Sequence, residues 1–234
     1  MGYCFIITSA INTKFGVFDN SLRLHQTLET VASIKHHAAD AVILIIEMSA
    51  LPLTAFQKNI LSQNCEILIE YSESNFVKEI YKNDNWDIVK NLTEVACFSD
   101  SLKAIRGNSF FESFERIFKI SGRYILNSDF DLKTHLESNK IIFSKSRASS
   151  FDINLTGVPR QYMSRLWSWP SKDSNLIIEN YDIGLDYMRN RLVNGGYCDI
   201  EHMLYATLNK FVPTELEFIG VQGYLGHTGI PVKD

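Results

Sequence analysis

Short unbroken apolar runs alternate along the first half of the chain with segments whose apolar residues return every three or four positions. Tyr3-Cys-Phe-Ile-Ile-Thr-Ser9, Ala41-Val-Ile-Leu-Ile-Ile-Glu47 and Cys65-Glu-Ile-Leu-Ile-Glu-Tyr71 are short and rich in β-branched residues, and read as buried strands. Between them, Arg23 to His37 carries Leu24, Leu28, Val31 and Ile34 at helical spacing, and Thr54 to Ser62 carries Phe56, Ile60 and Leu61. The polar stretch Asn83 to Asn91 predicts a loop. Ser101 to Ile117 predicts a helix, with Phe110, Phe111, Phe114 and Ile117 on its apolar face, and the chain then returns to the sheet through Leu126. Strand–helix alternation of this kind predicts an α/β fold: a Rossmann-type, mostly parallel sheet flanked by helices. No repeat, low-complexity tract or linker interrupts the chain, so a single domain over residues 1–234 is expected.

Open sheets of this type bind ligands beyond the carboxyl ends of their strands. Those ends are Thr8-Ser9-Ala10, Glu47-Met48-Ser49 and Tyr71-Ser72-Glu73. No G-x-G-x-x-G follows the first strand and no Walker lysine loop occurs, which disfavours a dinucleotide oxidoreductase and a P-loop enzyme.

Composition adds exclusions. Charged residues are 21% of the chain, the net charge is -4, and no Lys/Arg block stands out, so a nucleic-acid partner is not expected. The four cysteines form no C-x-x-C pair and read as reduced, buried thiols. The apolar N-terminus lacks a basic lead, and the run from Ala38 to Met48 is interrupted by Asp40 and Glu47. A cytoplasmic protein without a transmembrane segment is therefore expected, able to meet a membrane surface through partners. Oligomeric state is not legible.

The chemistry concentrates later in the chain. Lys119-Ile-Ser-Gly-Arg-Tyr-Ile-Leu-Asn-Ser-Asp-Phe-Asp131 runs from strand-like residues into two aspartates one residue apart, with Asn127 and Ser128 intervening. In extended chain, residues i and i+2 share a side, so Asp129 and Asp131 are expected to present two carboxylates together. Hard divalent cations take such oxygen ligands alongside substrate phosphates. Further on stand Asn194-Gly-Gly196, the acidic pair Asp199 and Glu201 opening an expected helix, and His227 between glycines in Gly223-Tyr-Leu-Gly-His-Thr-Gly229.

In this order the four features resemble a GT-A-type glycosyltransferase of the small kind used in polysaccharide or glycan assembly, across most of the chain. The resemblance implies a nucleotide-sugar-binding half over residues 1–131 and an acceptor and catalytic half over 132–234. It implies Mn²⁺ or Mg²⁺ held by Asp129, Asp131 and His227 against the donor diphosphate, and a glycine turn at Gly195 and Gly196 where backbone approaches the donor. Glu201 is the first choice for the base that deprotonates the acceptor hydroxyl, and Asp199 the second. Arg123 or Lys103 would pair with phosphate or brace the aspartates. Ser9, Asn12, Arg23 and Glu47, near the ends of the first strands, would contact a UDP- or GDP-linked donor; the acceptor would be a glycan. Each group also has a structural reading: Asp199 as a helix N-cap, Asn194-Gly-Gly196 as a helix end, Arg123 in an ion pair, Trp167 and Trp169 as core or as a sugar platform. Two other functions remain open. One is a sugar-nucleotide nucleotidyltransferase, although Ser9-Ala-Ile-Asn-Thr-Lys14 lacks the glycine-rich loop expected there. The other is a non-catalytic nucleotide- or glycan-binding protein on the same fold.

Overall fold

The structure, a computed structural model, describes residues 2–106 and 109–234. The chain opens with β1 (Gly2–Ser9), α1 (Asn20–His37), β2 (Val42–Glu47), α2 (Ala55–Ser62), β3 (Ile67–Glu70), α3 (Asn75–Ile80) and α4 (Trp86–Arg106). It continues with β4 (Phe114–Ser121), β5 (Tyr124–Leu126), α5 (Leu132–Glu137), β6 (Ile142–Ser144), β7 (Arg147–Ala148), α6 (Ile153–Thr156), β8 (Arg160–Gln161) and β9 (Leu166–Pro170). It closes with α7 (Ser174–Val193), α8 (Ile200–Leu208), β10 (Thr214–Leu216), β11 (Val221–Tyr224) and β12 (Pro231–Lys233).

Seven strands form one central sheet in the order β10-β6-β9-β4-β1-β2-β3. The pairs β1–β2, β2–β3, β1–β4 and β6–β10 are parallel; β9 alone runs antiparallel to both its neighbours. A mostly parallel sheet flanked by helices, as in Rossmann-like folds, is thus the architecture of the chain. Alternation along the strands divides the core between two faces. Cys4, Ile6, Leu44 and Ile46 pack on one face with residues of α4, α7 and α8. Phe5, Ile7, Ile43 and Ile45 pack on the other with Leu24, Val31 and Ile34 of α1. Burial on both faces explains why β1 and β2 read as continuous apolar runs. The helix starts are capped locally. Asp19 accepts from the Leu22 amide at the head of α1, and Thr54 with Gln57 forms a capping box on α2.

Two segments depart from the sequence reading. Asn83 to Asn91 is not a loop throughout, because α4 begins at Trp86. Asn85 Oδ1 accepts from the Asp87 amide at 3.0 Å and so closes its entry. The helix expected over Ser101–Ile117 ends as α4 at Arg106, and its second half is a 3-10 turn at Phe110–Ser113 followed by β4. Gly107 and Asn108, inside that expected helix, lie outside the described residues. Trp167 and Trp169 are fully buried beside Phe98 and are core residues, not a sugar platform. All four cysteines are unpaired thiols. Among the described residues no helix is long and apolar enough to cross a membrane.

Candidate functional site

The carboxyl ends of β1 and β4 open into a cavity walled by one face of α4, the segment after β1, the turn between β11 and β12, and the first turn of α8. The α4 face presents Trp86, Val89, Lys90, Thr93 and Glu94, whose spacing of three and four puts them on one side of a helix. The strand ends contribute Thr8, Ser9, Ser121 and Arg123; Ser164 and Arg165 lead into β9; α8 contributes Glu201.

Buried polar bonds organise the floor. Lys119 Nζ, completely buried, donates to Glu94 Oε1 at 2.6 Å, to Ser121 Oγ at 2.7 Å and to the Ser164 carbonyl at 2.7 Å. Thr8 Oγ1 donates to the same Glu94 oxygen at 3.2 Å. Ser164 Oγ donates to Glu201 Oε1 at 2.5 Å. Ser164 therefore links the Lys119–Glu94 pair to Glu201 through its own carbonyl and hydroxyl.

The two carboxylates of α8 have opposite environments. Burial, reinforced by the charge of Asp199, raises the Glu201 pKa above the ordinary glutamate value; Lys90 and the Ser164 hydroxyl oppose the rise without cancelling it. Asp199 is also penalised by burial, but hydrogen bonds and charge from His202 outweigh that and hold its pKa low. It accepts from the His202 amide at 2.9 Å, caps α8, and pairs with His202 Nδ1 at 2.6 Å. Its lone pairs are committed to the helix start, and it does not line the cavity. Of the two expected bases, Glu201 is the one that faces the cavity.

Four cations border the same space. Arg23 donates to the carbonyls of Ala10, Phe15 and Phe18 and so pins the segment after β1. Burial, then the nearby Arg123, lowers its pKa to about 10. Arg165 is paired with the buried Asp234. Burial works against the Lys90 ammonium, but Glu201 and Glu94 more than compensate and its pKa lies above the ordinary lysine value. Arg123 stands 5.8 Å from the Tyr124 ring centroid, and its buried Nε has no hydrogen-bond partner. Thr93 Oγ1, also on the cavity wall, is likewise unpartnered. Buried donors in folded proteins nearly always have acceptors, so both atoms mark polar contacts that the chain does not supply itself. Gly226 packs so closely on Arg123 that a Cβ there would stand 3.1 Å from its Cζ. The carbonyl of Gly226 accepts from the Val17 amide, tying the two sides of the mouth. His227 stacks on Trp86 with centroids 5.1 Å apart. Burial, Lys90 and Arg123 all lower its pKa, while Asp87 opposes them.

The residues expected to hold Mn²⁺ or Mg²⁺ do not come together. Asp129 pairs with Lys233 at 2.8 Å, and Asp131 caps α5, accepting from the Lys133 amide and from Thr134 Oγ1 at 2.6 Å. Phe130, between them, packs on Phe5, Phe118 and His37. His37 ends α1, so the pair sits toward the amino end of the parallel strands and away from the cavity. His227 is in the cavity wall. Among the described residues no group of three His, Cys, Asp or Glu side chains is placed to hold a metal ion. The physical reason lies in Gly122 and β5. The chain turns at the end of β4, and β5 pairs antiparallel with β11, carrying the aspartates off the sheet's ligand-binding end.

The remaining expected contacts divide. Ser9 and Arg23 line the cavity. Glu47 is completely buried behind it, accepting from Ser9 Oγ at 2.5 Å and the Ile11 amide at 2.8 Å, and burial pushes its pKa up to about 7 against those bonds. Asn12 is committed to a reciprocal amide pair with Gln57 at 2.9 Å. Lys103 forms a surface ion pair with Asp182. Gly195 and Gly196 close the end of α7 and line a second cavity with Asn85, Asp87 and Asn91, on the opposite face of α4. Lys90, Glu94, Lys119, Ser164 and Arg165 were not anticipated. One signal for them was present: Lys119, Ser121 and Arg123 alternate along β4 into its end, just as the aspartates were expected to do.

No protein-family model matches the sequence, and a search of curated proteins found no match.

Proposed function

We propose that this chain is a nucleotide-sugar-dependent glycosyltransferase, GT-A-like in architecture, whose donor lies in the cavity at the ends of β1 and β4 and whose acceptor is a glycan. The observation that carries the reading is Glu201: a half-buried carboxylate of raised pKa, facing the same space as Lys90 and Arg123. A carboxylate made more basic by its surroundings suits removal of a hydroxyl proton, and fixed cations suit a diphosphate leaving group. The position beyond the carboxyl ends of parallel strands suits a nucleotide ligand.

The chemistry follows from that arrangement. The acceptor hydroxyl oxygen attacks the anomeric carbon of the donor, and a new glycosidic bond forms. The bond from that carbon to the diphosphate oxygen breaks, and its electron pair stays on the diphosphate. The hydroxyl proton passes to Glu201. Ser164 holds the Glu201 carboxylate in place, and Lys119 in turn holds the Ser164 carbonyl. The groups expected for Mn²⁺ or Mg²⁺ do not converge, so no step is assigned to them. Calorimetry with UDP- and GDP-linked sugars tests the reading. Saturable binding of at least one sugar nucleotide is expected, and binding of none would refute it.

A further inference from the structure

The strand end at which an acidic metal motif was expected carries a cation instead. β4 lies beside β1 in the middle of the sheet, where a side chain at the carboxyl end meets the ligand crevice. Ser121-Gly122-Arg123 occupies that place. Four cations border the cavity, and two of them are already committed, Arg23 to three backbone carbonyls and Arg165 to Asp234. Lys90 and Arg123 differ. Neither makes a direct ion pair or side-chain hydrogen bond among the described residues, and Arg123 Nε is buried without an acceptor. The carboxylates on the cavity wall act on them through charge but make no direct contact with them: Glu94 is bound to Lys119 and Glu201 to Ser164. A divalent cation entering beside Lys90 and Arg123 would meet like charge, whereas an oxyanion with several acceptor oxygens would satisfy both.

We infer that Lys90 and Arg123 bind the diphosphate of the donor directly, without a divalent metal ion. The inference rests on the nucleotide-sugar reading of the cavity and names what holds the charged part of that ligand. Arg123 supplies planar N–H donors whose orientation is set by the Tyr124 ring and the close approach of Gly226. Lys90 supplies a point charge from across the cavity, on α4. In glycosyl transfer the same two groups would receive the negative charge that builds on the departing diphosphate.

Titration calorimetry of the full chain with UDP, GDP and inorganic pyrophosphate, once in EDTA and once with Mn²⁺, tests this. UDP or GDP is expected to bind in EDTA with an affinity that Mn²⁺ changes by less than about threefold. The corresponding nucleoside monophosphate should bind at least about tenfold more weakly, as should the diphosphate to Lys90→Met or Arg123→Gln, the size of losing one charge-assisted hydrogen bond. Lys90 makes no ion pair or side-chain hydrogen bond among the described residues, so Lys90→Met tests the site even where Arg123→Gln folds poorly. Nucleotide binding that requires Mn²⁺ and vanishes in EDTA would overturn direct cation binding and leave glycosyl transfer standing. Pyrophosphate binding in EDTA without binding of either nucleotide or any sugar nucleotide would support the oxyanion site and overturn the donor reading. Binding of none of these ligands under either condition would overturn both.

Discussion

Lys119 and Glu94 form an ion pair at 2.6 Å with the lysine side chain wholly buried and the glutamate nearly so. Burial lowers the Lys119 pKa, while Lys119 outweighs burial at Glu94 and keeps that pKa low, so the pair is held as two charges. Removing one partner strands the other. Lys119→Met is expected to cost about 3–5 kcal/mol in urea denaturation, the range for breaking a buried pair. The double replacement Lys119→Met with Glu94→Leu should recover most of that loss, because no unpaired charge is then left inside. A double variant as unstable as the single one would show that the pair does not carry this penalty.

Asp131 is expected to matter for stability and not for the ligand. Its carboxylate caps the six-residue helix α5, so Asp131→Ala should lower stability by about 1 kcal/mol in thermal or urea unfolding. Nucleotide affinity, measured by calorimetry on the same protein, should stay within about twofold. A loss of binding would return the aspartate pair to the donor site.

Glu47 gives the chain a pH dependence with a definite sign. Its pKa in the folded protein is about 7 against an ordinary value of 4.5, so folding favours the protonated form. Its contribution is full below pH 4.5, falls as pH rises toward 7, and is flat above. At about 1.36 kcal/mol per unit, the loss is roughly 3 kcal/mol at most. Gln at this position keeps an acceptor for the Ile11 amide and has no proton to lose. Unfolding free energies of wild type and Glu47→Gln at pH 5 and pH 8 are therefore expected to differ in slope, with the variant gaining relative stability at the higher pH. Parallel profiles would remove Glu47 as the cause.

Much of the fold was legible in the sequence because β1, β2 and β3 are apolar runs set between amphipathic helices. Glu201 and Asp199 were legible for a similar reason: both belong to a helix start whose cap is local. α4 was harder. Its buried residues include Asn91, Thr93, Glu94, Ser99 and Ser101, so its inward face is partly polar and the apolar period that marks a helix is weak. Two of these polar residues, Thr93 and Glu94, stand in the cavity wall, so part of what obscured the helix also makes the site. The aspartate pair misled because its fate depends on the pairing of β5 with β11, distant in sequence, and on Gly122 turning the chain between β4 and β5. The spacing of two residues did mark the ligand end of the sheet, but at Lys119, Ser121 and Arg123.

The stack of Trp86 on His227 closes one side of the mouth. Trp86→Ala is expected to weaken binding of a nucleotide-linked ligand by up to about tenfold while leaving stability nearly unchanged, since Trp86 is 40% exposed. Calorimetry and thermal unfolding on the one variant separate the two effects. An unchanged affinity would place the stack outside the ligand's reach.

Release of nucleoside diphosphate from a panel of UDP- and GDP-linked sugars, compared between wild type and Glu201→Gln, tests glycosyl transfer most directly. Wild type is expected to release it from at least one donor, faster with a glycan acceptor present. Glu201→Gln should bind that donor within about threefold of wild type and turn it over about a hundredfold more slowly or worse, the size of losing a general base. No release from any donor, or wild-type turnover by Glu201→Gln, would contradict it.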